Sequence, residues 1–124
     1  MLVISAFALL LQAATADSAP AARNPAYARD GRLAVSVRGD LWVVSKQGAW
    51  TRLTSGGAWD REPAWTSDGQ AIVFSSDRAG NFDLWRIAVG PNGATGEAER
   101  LTTSPQSDGE PAVAPDGRIF FVRG

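Results

Sequence analysis

The amino-acid sequence predicts an all-β fold assembled from repeated four-stranded units. Short β-prone apolar runs follow Asp-Gly pairs, the same motifs recur at a spacing of 48 residues, and no stretch after the first apolar segment has a helical period. An Asp-Gly pair favours a tight hairpin, because glycine tolerates the positive φ that such a turn requires. The sequence therefore predicts a series of β-hairpins.

Three motifs carry the repeat. Each copy has a Leu-Thr pair, then a Glu-Pro-Ala triplet, then an Asp-Gly pair. The matching segments are 53–55 with 101–103, 62–64 with 110–112, and 67–69 with 115–117. We place the start of an earlier copy at Asp30, since the Leu-Trp pair at 41–42 matches the pair at 84–85.

One complete unit contains four predicted strands, at about 64–66, 71–76, 83–89 and 99–102. Four short strands that recur every ~40–45 residues are typical of a β-propeller blade. A blade has two apolar faces and is stable between neighbours. Tryptophan side chains are large enough to fill the layers between blades, and we expect all five to do so. They are Trp42, Trp50, Trp59, Trp65 and Trp85.

The N-terminal segment has the pattern of a signal peptide. Residues 2–11 form an apolar run too short to span a bilayer, and the Ala-Thr-Ala triplet at 14–16 offers a cleavage site. No Lys or Arg precedes the run, so a buried strand or helix and a retained membrane anchor stay open as alternatives. We expect residues 1–16 to be the signal peptide, 17–29 a linker and 30–124 incomplete propeller repeats.

Composition narrows the possible functions. Twelve basic and thirteen acidic residues give a net charge of −1, without a basic patch for nucleic acid. The sequence contains neither Cys nor His, which excludes disulfides, thiolate sites and every nucleophile pair that uses these residues. Because no phosphate-loop, zinc or calcium motif occurs, we expect no cofactor and no metal.

The candidate binding residues lie just before the predicted innermost strands. In a propeller that position is the mouth of the central channel, where ligands bind. Paired carboxylates there could serve acid–base hydrolysis. Alternatively, they cap the turn and form ion pairs with Arg61 and its neighbours. The candidates are Asp60, Arg61, Glu62, Asp108 and Glu110.

The repeats resemble the Pro-Asp propeller repeats of TolB, of tricorn-like proteases and of prolyl-oligopeptidase-type propellers. The pattern of that family is Pro-x-Trp-Ser-Pro-Asp-Gly. Segment 63–69 matches it with Ser67 in the proline place, and segment 111–117 matches it with Val113 in the tryptophan place. Segment 75–85 is most similar to secreted hydrolases that carry such a propeller ahead of an amidohydrolase or peptidase domain.

The resemblance implies one of two functions. The first is a non-catalytic scaffold of an exported, periplasmic or extracellular protein, which binds a peptide, a partner protein or its own downstream domain. The second is the N-terminal propeller part of a secreted amidohydrolase or serine peptidase, whose catalytic domain lies beyond residue 124. Propellers close with roughly 4–8 blades. We therefore expect a fragment of two to three blades, self-association through open blade edges, and membrane contact only through an uncleaved signal segment.

Overall fold

The computed structural model describes residues 21–124, and the predicted signal peptide lies outside that range. Residues 21–124 contain β-strands and no helix, and therefore no helix long and apolar enough to cross a membrane. The all-β prediction is confirmed. The strands are β1 (Ala22–Tyr27), β2 (Leu33–Val37), β3 (Asp40–Val44), β4 (Trp50–Arg52), β5 (Asp60–Trp65), β6 (Ala71–Ser76), β7 (Asp83–Gly90), β8 (Gly93–Ala94), β9 (Glu99–Arg100), β10 (Asp108–Val113) and β11 (Ile119–Arg123).

The strands form three antiparallel units that follow one another along the chain. Blade 1 has the strand order β1-β2-β3-β4. Blade 2 has the order β5-β6-β7, and both β8 and β9 pair with β7. Sheet 3 is the hairpin β10-β11. Each unit begins with the strand that carries the Pro-Ala pair, and its Asp-Gly pair lies in the turn to the second strand, as the repeat predicts.

Blade 1 begins earlier than the sequence analysis placed it. The expected linker at 17–29 contains β1, which pairs antiparallel with β2, so the linker prediction is wrong for this strand. β1 carries an Asn-Pro-Ala triplet at 24–26, at the same distance before its Asp-Gly turn as the Glu-Pro-Ala triplet at 62–64. Most of its side chains are exposed, so backbone hydrogen bonds to β2 hold it in place without an apolar pattern.

Blades 1 and 2 pack face to face across an apolar core. Trp65 is 8% exposed in this layer, and its indole Nε1 donates a hydrogen bond of 2.9 Å to the carbonyl of Ala26 in β1. The indole thus satisfies its polar atom while its ring is buried. The core residues are Ala28, Ala34, Leu41, Val43 and Leu53 from blade 1 with Trp65, Ile72, Phe74 and Ile87 from blade 2.

The other tryptophans occupy three different environments. Trp85 packs against the core between the blades, as expected. Trp42 and Trp50 meet edge to face at 6.2 Å, in a second apolar cluster on the opposite face of blade 1. Trp59 is 49% exposed. The prediction that every tryptophan fills a layer between blades is therefore wrong for Trp59, and it stays a prediction for Trp42 and Trp50, which pack with residues of blade 1.

Sheet 3 stacks on the other face of blade 2 and leaves its own outer face open. The strand registers align Phe120 with Val73 and Phe121 with Phe74. Val73 and Phe74 are fully buried, whereas Phe120 and Phe121 are 57% and 38% exposed. β10 covers the Val73 side of blade 2, and no described residue covers the matching side of sheet 3.

The Leu-Thr motif closes each blade in the same way. In blade 1 the backbone N–H of Leu41 donates to Thr54 Oγ1 at 2.9 Å, and in blade 2 the N–H of Leu84 donates to Thr102 Oγ1 at 2.9 Å. The motif follows the last strand of each blade, and β9 ends at Arg100, shorter than the predicted strand 99–102. The threonine therefore satisfies a backbone donor at the blade edge.

Candidate functional site

The five candidate residues occupy the first three positions of the inner strands β5 and β10. Sequence analysis placed them just before these strands. The strands begin earlier, because Asp60 already pairs with Ser76 and Asp108 with Arg123. The beginnings of β1, β5 and β10 lie side by side, and we call the surface around them the mouth face.

Asp60 anchors blade 2 to blade 1. Its backbone N–H donates to the carbonyl of Gly39 at 2.8 Å, and its own carbonyl accepts from the Ser36 hydroxyl at 2.6 Å. Its carboxylate is buried, and both oxygens accept from Nη2 of Arg78 at 2.9 Å. Asp60 therefore forms its ion pair with Arg78, whereas Arg61 forms one with Glu62.

Asp108 makes the same anchor one repeat later. Its N–H donates to the carbonyl of Phe82 at 2.8 Å, and its carbonyl accepts from the Ser75 hydroxyl at 2.7 Å. Arg123 binds the buried carboxylate through Nε at 2.7 Å and Nη2 at 2.9 Å. The same arrangement therefore occurs at two consecutive interfaces. A serine hydroxyl donates a hydrogen bond to the backbone carbonyl of an aspartate, and an arginine binds the carboxylate of that aspartate.

The Asp108 anchor predicts a pH-dependent stability. Hydrogen bonds from Arg123 hold the pKa of Asp108 below its ordinary value, although burial acts in the opposite direction. A carboxyl group whose pKa is lowered in the folded state stabilises the fold above its unfolded pKa, about 3.9. That contribution is lost as pH falls from there through the folded pKa.

Urea denaturation of the wild type and of Asp108→Asn at pH 7, 5, 4 and 3 tests this linkage. We expect the difference in free energy of unfolding between the two proteins to be constant from pH 7 to 5 and to shrink below about pH 4. A difference that stays the same down to pH 3 would show that the ionised carboxylate contributes nothing to stability.

Glu62 and Glu110 lie at a backbone position that is unusual in all three inner strands. Glu62 has φ of 56°, Glu110 of 51° and Asn24, the matching residue of β1, of 52°. Non-glycine residues rarely adopt positive φ, and such strain concentrates at functional sites. The strand registers are interrupted at the same three places. Each inner strand therefore bulges where it meets the mouth face.

A hydrogen bond from a backbone N–H to a side chain joins two of these bulges. Glu62 Oε2 accepts the backbone N–H of Glu110 at 2.7 Å. A Cβ at Gly109 would lie only 2.7 Å from the same oxygen, so this approach requires glycine. The Glu110 side chain is exposed at the surface. Glu62 is therefore partly structural, and Glu110 is the acid of the mouth face that faces solvent.

Arg61 is held between an aromatic ring and a carboxylate. Its guanidinium carbon lies 3.7 Å from the centroid of the Phe82 ring, a cation–π contact. Its Nε is buried without a hydrogen-bond partner among residues 21–124, and the nearest carboxylate oxygen, Glu62 Oε1, is 3.6 Å away. The Phe82 ring and the Glu62 carboxylate therefore fix the Arg61 guanidinium in place.

Cavities open on the mouth face at both interfaces between units. The first cavity, between blades 1 and 2, has a volume of about 450 Å³. The second cavity, between blade 2 and sheet 3, is smaller, about 190 Å³. The candidate residues predicted from the sequence did not include Arg23, Arg38 and Trp59, which line the first cavity.

The two buried acids of the mouth face are committed to ion pairs. Asp60 and Asp108 are buried and hydrogen-bonded to guanidinium groups, so neither is free to take a proton from a substrate. Within residues 21–124 no three acidic side chains cluster closely enough to hold a metal ion. The remaining polar groups are exposed or partly exposed, and they can form ion pairs and hydrogen bonds with a bound ligand.

These features define a β-propeller module with a polar mouth face. No protein-family model matches the chain. Among curated proteins, TolB of the Tol-Pal system in Francisella tularensis is 30% identical over 95 residues, which is 77% of this chain and 20% of the relative. The uncharacterized peptidase YuxL of Bacillus subtilis is 31% identical over 111 residues, which is 80% of this chain and 16% of the relative.

An uncharacterized protein of Agrobacterium fabrum is 37% identical over 76 residues, which is 60% of this chain and 25% of the relative. This chain therefore spans a quarter or less of the length of the curated relatives named here. The similarity covers the repeats and leaves most of each relative unmatched.

Solved structures show the same likeness. A TolB-like protein of Agrobacterium tumefaciens matches with a TM-score of 0.71 and 27% identity, over 83% of this chain and 38% of that one. TolB of Acinetobacter baumannii matches in fold with a TM-score of 0.62 and 21% identity, over 79% of this chain and 25% of that one. The repeats are TolB-like propeller repeats, with homologues in sequence and in structure. The predicted resemblance and the partial propeller are confirmed.

Proposed function

We propose that the chain is a non-catalytic propeller module of an exported protein, and that it binds a peptide or a partner protein through the mouth face. The observation that carries the proposal is the row of three positive-φ bulges at Asn24, Glu62 and Glu110. Strained backbone at one repeated surface position supports a role in binding. The TolB-like fold also supports the proposal, because a propeller surrounds a central channel and the mouth of that channel is open to ligands.

The ion pairs of the two buried aspartates support a non-catalytic role. Hydrolysis by a carboxylate pair needs one acid that donates a proton and one that accepts it or attacks. Asp60 and Asp108 are occupied by Arg78 and Arg123, and Glu62 is occupied by a backbone N–H. The apolar run and the Ala-Thr-Ala triplet support export to the periplasm or the extracellular space.

Peptide display on the immobilised protein tests the proposal. We expect a random library to yield peptides that bind the wild type and lose binding to Glu110→Lys, because the substitution reverses a charge on the mouth face. Asp116→Lys is the matched control, since Asp116 is an exposed acid at the opposite end of sheet 3. Peptides should bind this control variant as they bind the wild type.

Two results would contradict the proposal. In the first, selected peptides are insensitive to Glu110→Lys and sensitive to Asp116→Lys, which would move the binding surface to the other end of the blades. In the second, the purified protein turns over peptide, ester or glycoside substrates and loses that activity when Asp60 or Glu62 is changed.

A second candidate function is the propeller part of a secreted hydrolase, such as an amidohydrolase or serine peptidase. The similarity to peptidase YuxL over 111 residues favours it. The coding DNA beyond the Gly124 codon distinguishes the two functions: a catalytic domain with His and a nucleophile supports the hydrolase. Binding to such a downstream domain, and self-association through open blade edges, remain predictions.

A further inference from the structure

The two cavities of the mouth face occupy the same place in the repeat but differ in charge. The lining of the first contains three arginines and one acid, which are Arg23, Arg38, Arg61 and Glu62. The lining of the second contains one arginine and three acids, which are Arg61, Glu62, Asp108 and Glu110. Asp108 is buried and bound by Arg123, so the second cavity presents two acids, Glu62 and Glu110, and one arginine. The first interface therefore has an excess of positive charge, and the second a smaller excess of negative charge.

Two of the three arginines of the first cavity are available to a ligand. Arg23 and Arg38 are exposed, and neither side chain forms a hydrogen bond or ion pair with another residue of the described range. Arg38 lies in the turn between β2 and β3 with φ of 52°, which is a strained backbone conformation for this residue type. Arg61, on the opposite wall, differs from them, because its buried Nε lies 3.6 Å from Glu62 Oε1.

Trp59 forms an ordered apolar wall beside these charges. Its backbone N–H donates to Asp77 Oδ1 at 2.7 Å, which fixes the residue in the loop between the blades. Its ring packs so closely on Gly39 that a Cβ there would lie 3.0 Å from the ring. An indole that is half exposed and yet held at its base can cover the apolar part of a peptide.

We propose that this cavity is a subsite for a peptide carboxylate, in which Arg23 and Arg38 bind the carboxylate and Trp59 packs on the adjoining chain. Guanidinium groups match carboxylates in geometry and charge. The proposal rests on the function proposed above and names the chemistry of its ligand. A side-chain carboxylate and a chain-terminal carboxylate share this chemistry, and the probes below separate them.

Amide and side-chain NMR titrations of the full chain provide the test. The probes are acetyl-Glu-Glu-Glu-amide, acetyl-Gly-Gly-Gly with a free C-terminus, and neutral acetyl-Gln-Gln-Gln-amide. We expect one or both carboxylate probes to shift the Trp59 indole and the Arg38 signals saturably, and the neutral probe to leave them unchanged. The carboxylate probe that binds more tightly identifies the source of the carboxylate.

Substitution of the two arginines provides a second test of the subsite. In Arg23→Gln/Arg38→Gln the affinity for the carboxylate probe should fall about ten-fold or more, because two charge-assisted contacts are lost. Arg29→Gln is the matched control, an exposed arginine beyond the other end of β1, and it should leave the affinity unchanged. Spectra of all variants check that the fold is intact.

The subsite is refuted if no probe shifts Trp59, if the neutral probe shifts it equally, or if the double variant binds as the wild type does. Failure of the subsite is distinguishable from failure of the proposed function. Displayed peptides that still depend on Glu110 would leave the mouth face as the binding surface while the carboxylate subsite is rejected. Loss of both responses would reject both proposals.

Discussion

Replacing Phe74 by alanine is expected to lower the free energy of unfolding by about 3–5 kcal/mol. Phe74 is fully buried in the core between blades 1 and 2, so the change removes apolar contact and leaves a cavity that the two packed sheets cannot close. Urea denaturation followed by tryptophan fluorescence measures the effect, since Trp65 and Trp85 border the same core.

Phe121→Ala provides the matched control, because Phe121 stands at the same repeat position in sheet 3. Phe121 is 38% exposed, and we expect its removal to cost about 1 kcal/mol or less. The chemistry of the two substitutions is identical, so the difference between them measures how much more completely Phe74 is buried than Phe121. Equal losses at the two positions would contradict the burial of Phe74 in the core between the blades.

Replacing Asp60 by alanine is expected to cost about 2–4 kcal/mol, since it removes a buried carboxylate and leaves the guanidinium of Arg78 without its partner. The expected loss of stability is somewhat smaller than for a fully buried ion pair, because the Arg78 side chain remains 25% exposed. Chemical denaturation at pH 7 measures the loss, and Asp60→Ala/Arg78→Met should recover part of it.

Asp116→Ala is the control for the aspartate anchor. Asp116 pairs with Arg118, but the two side chains are 55% and 72% exposed, and such pairs contribute about 0–1 kcal/mol. A loss at Asp60 no larger than the loss at Asp116 would show that the buried pair does not hold the blades together. Failure of the double variant to recover stability would show that the cost lies elsewhere than in the unpaired arginine.

The repeat in the sequence predicts the strands of blade 2 well, because turn residues and β-prone runs act locally. The first strand of blade 1 is harder to predict, because Asn24 stands where the other copies have glutamate. In addition, β1 has few buried side chains that could form an apolar pattern. A search for the shorter Pro-Ala signal at the same distance before the Asp-Gly turn of residues 30–31 would have found this strand.

The roles of the candidate acids could not be predicted from local sequence. Arg78 lies in the loop after β6, whereas Arg123 lies within β11, so the partners of Asp60 and Asp108 share no repeat position. Burial of the two aspartates depends on how successive blades stack. The charge contrast between the two cavities likewise emerges only when residues distant in the chain meet at the mouth face.

The central claim is that the strands from Ala22 onward stack as propeller blades, so that their inner strands meet at one mouth face. The Trp65 indole tests it most directly, because its N–H reaches across the interface to Ala26. We predict nuclear Overhauser contacts between the Trp65 indole proton and the protons of Ala26 and Tyr27, together with slow hydrogen exchange of that proton. An indole that exchanges at the solvent rate and shows no contact with β1 would contradict the account.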